Sequence, residues 1–520
     1  MEKSKNIFKK GAIISYTAII IEIIAGLLYV PWMISMLGSS NYAIYSLAIS
    51  LISILSVDFG LTAAAGKFIA KCRAEGDIEK SNQYSSIIIK LLLFIDCFIF
   101  IASIVIYFLI GAIYSSKFTS EEIEKLKVVF IICGLYSVIS FPTMPFGGFI
   151  SGNNKFYLSK FISLCVRLTT VISIVIFLIL GAGLYEFVLI NCTVSLLGRI
   201  AEFICIKKCK MFGSKISIKF WNKQMFLEIF KYTFWTALCI VAEKLIVYSV
   251  PSILGAISGT SEIAIFQVGL TIDTYIVTFS TALDGMFIAR LSEMDKDNFA
   301  PKDFTDYWIK VARFQVIILG LFIVGFISLG KGFVNLWMGT KDGLNYGDSY
   351  YIAILLIAPG ALTSTQQVAN TTLIIKDKIK YKSVAYLIAC VLCVGLTFLL
   401  VSLNPKNGPI FAALSVFIGR TFGLFTICCF VYKKCLKLEV FRFLKSVYFK
   451  FLIVAIAVCL LGFGIDILLP SSRWLILILK SCLVGLLYVA GIYFVYLNSF
   501  EKSFIKQFLR RKKENDETNI

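Results

Sequence analysis

Apolar runs of eighteen or more residues, carrying few charges, recur along this chain from Gly11 to Asn498. Each run is long enough to cross a hydrocarbon layer about 30 Å thick. Inside such a layer only a helix or a closed barrel satisfies its own backbone polar groups, and single runs of this length read as helices. Composition agrees, because 58% hydrophobic against 16% charged residues is more apolar surface than one soluble core buries. The expected fold class is an all-α polytopic membrane protein.

Charge clusters, glycines and prolines between the runs divide them into about fourteen transmembrane helices: 12–37, 42–66, 84–113, 128–150, 158–181, 184–206, 230–256, 262–289, 311–330, 350–374, 383–403, 409–432, 451–469 and 474–498. The first follows a basic head but is too long for a signal peptide and has no small-residue cleavage site, so it reads as a span. Alternate connections and the two ends carry 38 Lys and Arg, the opposite connections 7. Basic residues in short loops stay cytoplasmic, so both termini are expected in the cytoplasm. The net charge of +20 then reflects topology and attraction to anionic headgroups, and no nucleic-acid partner is expected. The end of the chain, 499–520, reads as a charged cytoplasmic tail.

No connection is long enough to fold as a catalytic domain; the largest are Lys207 to Lys231, Arg290 to Lys310 and Lys331 to Tyr351. The chain has no histidine, which excludes His-based general bases and His metal ligands. Its 15 cysteines fall mostly within apolar runs and read as small buried hydrophobes. "CIKKC" at Cys205 and the Cys428-Cys429 pair come nearest to a motif, and neither has metal-site spacing. No catalytic residue, metal or cofactor is expected.

An internal repeat organises the spans. Phe8-Lys9 matches Phe230-Lys231, Glu22 matches Glu243, Val30-Pro31 matches Val250-Pro251, and "SNYAIY" matches "SEIAIF", at offsets of 220 to 222. "GKFIAK" from Gly66 matches "GMFIAR" from Gly285 at 219. The expected domains are two six-helix lobes, 1–210 and 225–432, around a central cavity, with two further helices in 433–498. Parallel repeats of this kind suit alternating access, one lobe rocking against the other. Matched Pro31 and Pro251, with Pro142, Pro145 and Pro359, fall inside spans as bends for packing or gating.

Charges inside spans are costly against lipid and mark a cavity or a helix contact. The cations are Lys244 and Arg420 near mid-span, with Arg167 and Arg199 nearer the cytoplasmic mouth; they form the candidate substrate path. The acids Glu22, Glu243, Asp58, Asp273 and Asp284 are candidates for coupling or structure. Ser159, Ser163, Arg167 and Thr170 share a helix face, as do Asn191, Ser195, Arg199 and Glu202, and Thr363, Gln367 and Asn370. These faces line a cavity or bind helix to helix; Arg199 with Glu202, three apart, reads as a structural pair. Glu243 is expected to pair across helices, and Lys244 to reach the cavity as a phosphate-attracting charge.

"LGSSNYAIYSL" between the first two spans, the "GKFIAK" ending, "SGNNKFYLSK" after span four and the duplicated lobes resemble polysaccharide-export (Wzx-type) flippases of the multidrug/oligosaccharidyl-lipid/polysaccharide exporter superfamily. The resemblance spans residues 7–435. It implies translocation of an undecaprenyl-pyrophosphate-linked repeat unit, of O-antigen (lipopolysaccharide) or capsule type, to the outer leaflet of a bacterial plasma membrane. It also implies H+ or Na+ coupling and a polysaccharide polymerase partner. Pyrophosphate is the kind of anion that Lys and Arg bind well. Two rivals stand beside it: a multidrug/cation antiporter using Asp58, Asp273 and Asp284, and a membrane polymerase or glycosyltransferase.

Overall fold

The computed structural model of the chain describes residues 2–153, 156–209, 220–281, 291, 294–297, 299–469, 473–499 and 501–503. Among these, twelve helices are long and apolar enough to span a membrane, and thirteen if the pair Ser349–Ser364 and Gln367–Ile375, bent by 46°, counts as one. The fold is therefore all-α and polytopic, as the run lengths require. Span 42–66 differs from expectation: it is two short helices joined by an irregular turn.

The helices are α1 (Glu2–Leu37), α2 (Ser39–Leu55), α3 (Leu61–Glu75), α4 (Ile78–Tyr114), α5 (Ser120–Ser140), α6 (Phe146–Gly152), α7 (Phe156–Ile179), α8 (Leu184–Lys208), α9 (Lys223–Ile257) and α10 (Thr260–Thr281). They continue with α11 (Pro301–Trp337), α12 (Ser349–Ser364), α13 (Gln367–Ile375), α14 (Ile379–Leu403), α15 (Gly408–Ile418), α16 (Ile427–Leu436), α17 (Val440–Leu444), α18 (Lys450–Leu468) and α19 (Trp474–Gly491). Pro31, Pro251 and Pro359 lie within α1, α9 and α12, whereas Pro142 lies in the 3-10 turn Phe141–Thr143 that separates α5 from α6.

One compact unit comprises Met1–Ala282, Thr340–Pro359 and Asp377–Cys428. Its core gathers Phe68, Tyr84, Ile88, Phe141, Phe149 and Ile229, with the Phe68 and Tyr84 rings stacked at 4.7 Å. α4 begins at an Asp77 cap and turns Phe94, Phe98 and Phe108 outward, as a lipid-facing helix must. Two turns organise its far end. Gly38 (φ +87°) joins α1 to α2, and Gly259 (φ +122°), 221 residues on, joins α9 to α10. Glu122, which completes a capping box with Thr119, accepts from Ser40 at 2.6 Å and Thr260 at 3.0 Å, binding both turns to α5. A hairpin turns at Asp342-Gly343, both with positive φ, and Asp342 accepts from the Ser39 N–H at the start of α2.

The other unit comprises Leu283–Gly339, Gly360–Lys376 and Cys429–Ile520. Val324, Val454, Val458, Val484 and Tyr488 form its core between α11, α18 and α19. Trp308 stacks on Phe443 at 3.7 Å and donates to the Thr365 carbonyl. Arg313 holds the C-terminal end: its guanidinium donates to Glu501 and to the carbonyls of Ser446 and Tyr496, at 2.8–2.9 Å. Burial alone would raise the Glu501 carboxyl, but the Arg313 guanidinium and the Asn498 N–H outweigh it and hold it below the ordinary glutamate range.

Candidate functional site

Of the cations expected along the path, Lys244 comes to rest on backbone carbonyls, and Arg420 and Arg199 on carboxylates. The irregular turn at 56–60 is the clearest case. In an unbroken helix the Ser53 carbonyl would accept from Val57 N–H and the Ser56 carbonyl from Gly60 N–H. Instead Val57 N–H donates to Leu55 O at 2.9 Å and Gly60 N–H to Asp58 Oδ1 at 3.2 Å. Lys244 takes both of these freed carbonyls, its Nζ donating to Ser53 O at 3.1 Å and Ser56 O at 2.8 Å.

Asp58 completes the turn from the other side. Its Oδ2 accepts from Thr62 N–H at 3.2 Å, so the carboxylate caps the first turn of α3. Phe59 (φ +50°) and Gly60 (φ +76°) make the reversal. A Cβ at Gly60 would lie 3.1 Å from Thr236 Cγ2, so glycine also lets the turn press against α9. Thr236, Ile240 and Lys244 follow at i, i+4 and i+8, which makes one face of α9 the partner of the turn.

This corrects the expectation that Glu243 pairs across helices, and it gives Lys244 backbone partners. Lys244 is half-buried and engaged with a helix end. Glu243 is exposed and, among the described residues, makes no hydrogen bond or ion pair. Neighbouring helix positions differ by about 100°, so the face of α9 that meets α2 offers room for only one of them.

The second cluster lies on α9, α10, α14 and the π-helical stretch Gly419–Thr426 that carries Arg420. Arg420 Nη1 donates to Asp273 Oδ2 at 3.4 Å, both side chains being largely buried. Asp273 Oδ1 is buried with no partner among the described residues. The charges of Glu243 and Arg420 both reach the buried Tyr386 phenol. Gly419 and Gly423 let this stretch lie against α14, since a Cβ at Gly423 would stand 2.6 Å from Ala389 Cα.

On α7 and α8, Arg199 pairs with Glu202 at 3.0 Å, and Ser159 donates to the same carboxylate at 3.1 Å. Ser163 and Thr170 bond back to their own helix. Arg167 is half-buried, and its charge reaches the phenols of Tyr29 and Tyr45. Asn370 accepts from Tyr432 at 2.9 Å in the other unit. The Glu22 side chain and Asp284 lie outside the described residues.

Three buried ionic groups are not among the sequence expectations: Asp96, Arg313 and Lys480, the last paired with the half-buried Asp466 at 2.7 Å. Each is a charge inside or beside an apolar run, the same signal that marks the others. The Gly419-x-x-x-Gly423 spacing was also visible.

A family model described as polysaccharide biosynthesis protein matches residues 8–282. No curated protein sequence matches the chain. Among solved structures, the chain is similar to the lipid II flippase MurJ in its inward closed conformation, at 18% identity over 93% of this chain and 98% of that one, with a TM-score of 0.67. It is similar to an inward-facing multidrug resistance MATE family transporter of the MOP superfamily, at 15% identity over 82% and 99%, TM-score 0.57. A third likeness, at 14% identity over 84% and 96%, TM-score 0.62, is to a MOP superfamily transporter from Pyrococcus furiosus described by the reverse polarity of its binding pocket. These likenesses show the fold.

Proposed function

The chain belongs to the polysaccharide biosynthesis protein family, and on that premise we propose that it is a flippase for a polyprenyl-pyrophosphate-linked glycan. The glycan would be a repeat unit of O-antigen or capsule type, crossing to the outer leaflet of a bacterial plasma membrane. The observation that carries the reading is Lys244, an ammonium kept within an apolar helix by neutral carbonyls and by no salt bridge among the described residues. A charge so held keeps its attraction for an anion, and its bonds are exchangeable for phosphate oxygens. That a lipid II flippase shares the fold supports a lipid-linked substrate.

In this reading Arg420, Arg167 and Arg199 are the further cations of the path, within two six-helix lobes, 1–210 and 225–432. Both termini are cytoplasmic, H+ or Na+ couples the cycle, and a polymerase receives the product. The antiporter rival is less well supported, because Asp273 is paired with Arg420 and Asp58 with backbone N–H groups, which leaves these acids engaged. Gene deletion tests the choice. The expected result is lipid-linked repeat units accumulating in the inner leaflet with loss of surface polysaccharide, restored by wild type and not by Lys244→Met. Unchanged surface polysaccharide together with new drug sensitivity would favour the antiporter.

A further inference from the structure

The turn between α2 and α3 brings together two freed carbonyls, one carboxylate and one ammonium. Ser53 O and Ser56 O face Lys244 Nζ at 3.1 and 2.8 Å, and the Asp58 charge acts on the same ammonium. Carbonyls at the end of a half-helix are donors that alkali cations take inside membrane proteins, the helix dipole adding negative potential there. Lys244 reaches them from α9, 188 and 191 residues away in the chain. The Ser56 hydroxyl meanwhile pairs with the Ser137 hydroxyl of α5, which fixes the turn from behind.

We propose that the carbonyl end of α2 is a monovalent-cation site whose resident cation is the Lys244 ammonium. Three features argue for a site over a chance contact. Both carbonyls that the ammonium binds are among those that the break deprives of their helical donors. A carboxylate of the turn supplies compensating charge without displacing the ammonium, both of its oxygens being held by backbone N–H groups. Gly60, with positive φ and no side chain, lets α9 come close enough for the lysine to reach. The proposal stands independently of what the protein transports. It makes the site selective for +1 cations, since Lys244 supplies one charge and a divalent ion would leave an excess in the span.

The test is to remove the resident and offer the ion. Full-length Lys244→Met keeps the length of the stem and leaves the carbonyls bare. Its thermal midpoint is read by tryptophan fluorescence in NaCl, KCl or choline chloride at one ionic strength. A saturable rise of about 2 °C or more with Na+ or K+ and not with choline is expected, and none for wild type at this site. In Asp58→Asn/Lys244→Met the rise should fall by at least half. No alkali-specific rise in Lys244→Met, an equal rise in wild type, or an undiminished rise in the double variant would overturn the assignment. Should Lys244→Met aggregate in choline, its monodisperse yield becomes the readout. Recovery in Na+ or K+ supports the site, and equal failure in all three salts overturns it.

Discussion

The Arg420–Asp273 pair carries the sharpest energetic prediction. Asp273 is 4% exposed and Arg420 14%, so both charges are removed from water. Their contact is 3.4 Å, well beyond the 2.7–2.9 Å of a strong charge-assisted bond. Asp273 Oδ1 is left without a partner among the described residues, which costs about 1–3 kcal/mol. A buried pair this incompletely satisfied should be no more stable than neutral residues of similar shape, and replacing such pairs is often stabilising by about 1–4 kcal/mol. Removing one partner alone strands a carboxylate and costs about 3–5 kcal/mol. Arg420→Met should therefore lower the thermal midpoint clearly, and Asp273→Asn/Arg420→Met should return it to the wild-type value or above. A double-mutant cycle on purified protein in one detergent measures this. A double variant clearly less stable than wild type would refute the reasoning, since the pair would then be a net source of stability. If the double variant is stable yet fails to restore the activity proposed above, the pair is retained for that activity.

Arg313→Met should loosen the C-terminal helices, because two carbonyls and Glu501 lose their donor at once; protease cleavage near residue 500 should quicken by tenfold or more, measured by peptide mapping. The Glu501 carboxyl is held below its ordinary value, so its stabilisation is present above the unfolded glutamate value near about 4.3 and is lost as pH falls through the lower folded one. The midpoint of wild type should accordingly fall more steeply than that of Arg313→Met as pH drops below about 4.3. Gly423→Ala places a methyl 2.6 Å from Ala389 Cα and should cost about 1–3 kcal/mol in thermal unfolding, whereas Gly395→Ala, with open space around it, should cost far less.

The spans were legible because run length is a local property, and every expected span, 42–66 in two pieces, lies mainly in helix among the described residues. Span 42–66 was misread as continuous although "VDFGL" holds the signals of a break: an Asp able to cap and a Gly able to take positive φ. Hydropathy does not register them, since Val57, Phe59 and Leu61 keep the window apolar. Partners were less legible than positions. Arg199 with Glu202 was readable, three residues apart on one helix, but Arg420 with Asp273 is separated by 147 positions. Lys244 lies inside its span as expected, but its carbonyl partners are not legible, because a sequence shows charged side chains that need partners and hides freed backbone groups that need them equally.

That last point bears on how a flippase of this design would work. Each carbonyl bond of Lys244 has an ionised donor and is worth about 1.5–3 kcal/mol, and a bond from the ammonium to a phosphate oxygen adds to this the attraction of an opposite charge. Exchange of the first for the second is favourable only if Ser53 O and Ser56 O are not left bare, since each orphaned carbonyl costs about 1–3 kcal/mol. An incoming anion alone would thus gain little by capturing Lys244. An anion accompanied by a monovalent cation that fills the vacated carbonyls keeps the full difference. Under the two proposals above, the helix break makes anion capture and cation uptake favour each other, and the coupling free energy resides in the exposed carbonyls of α2.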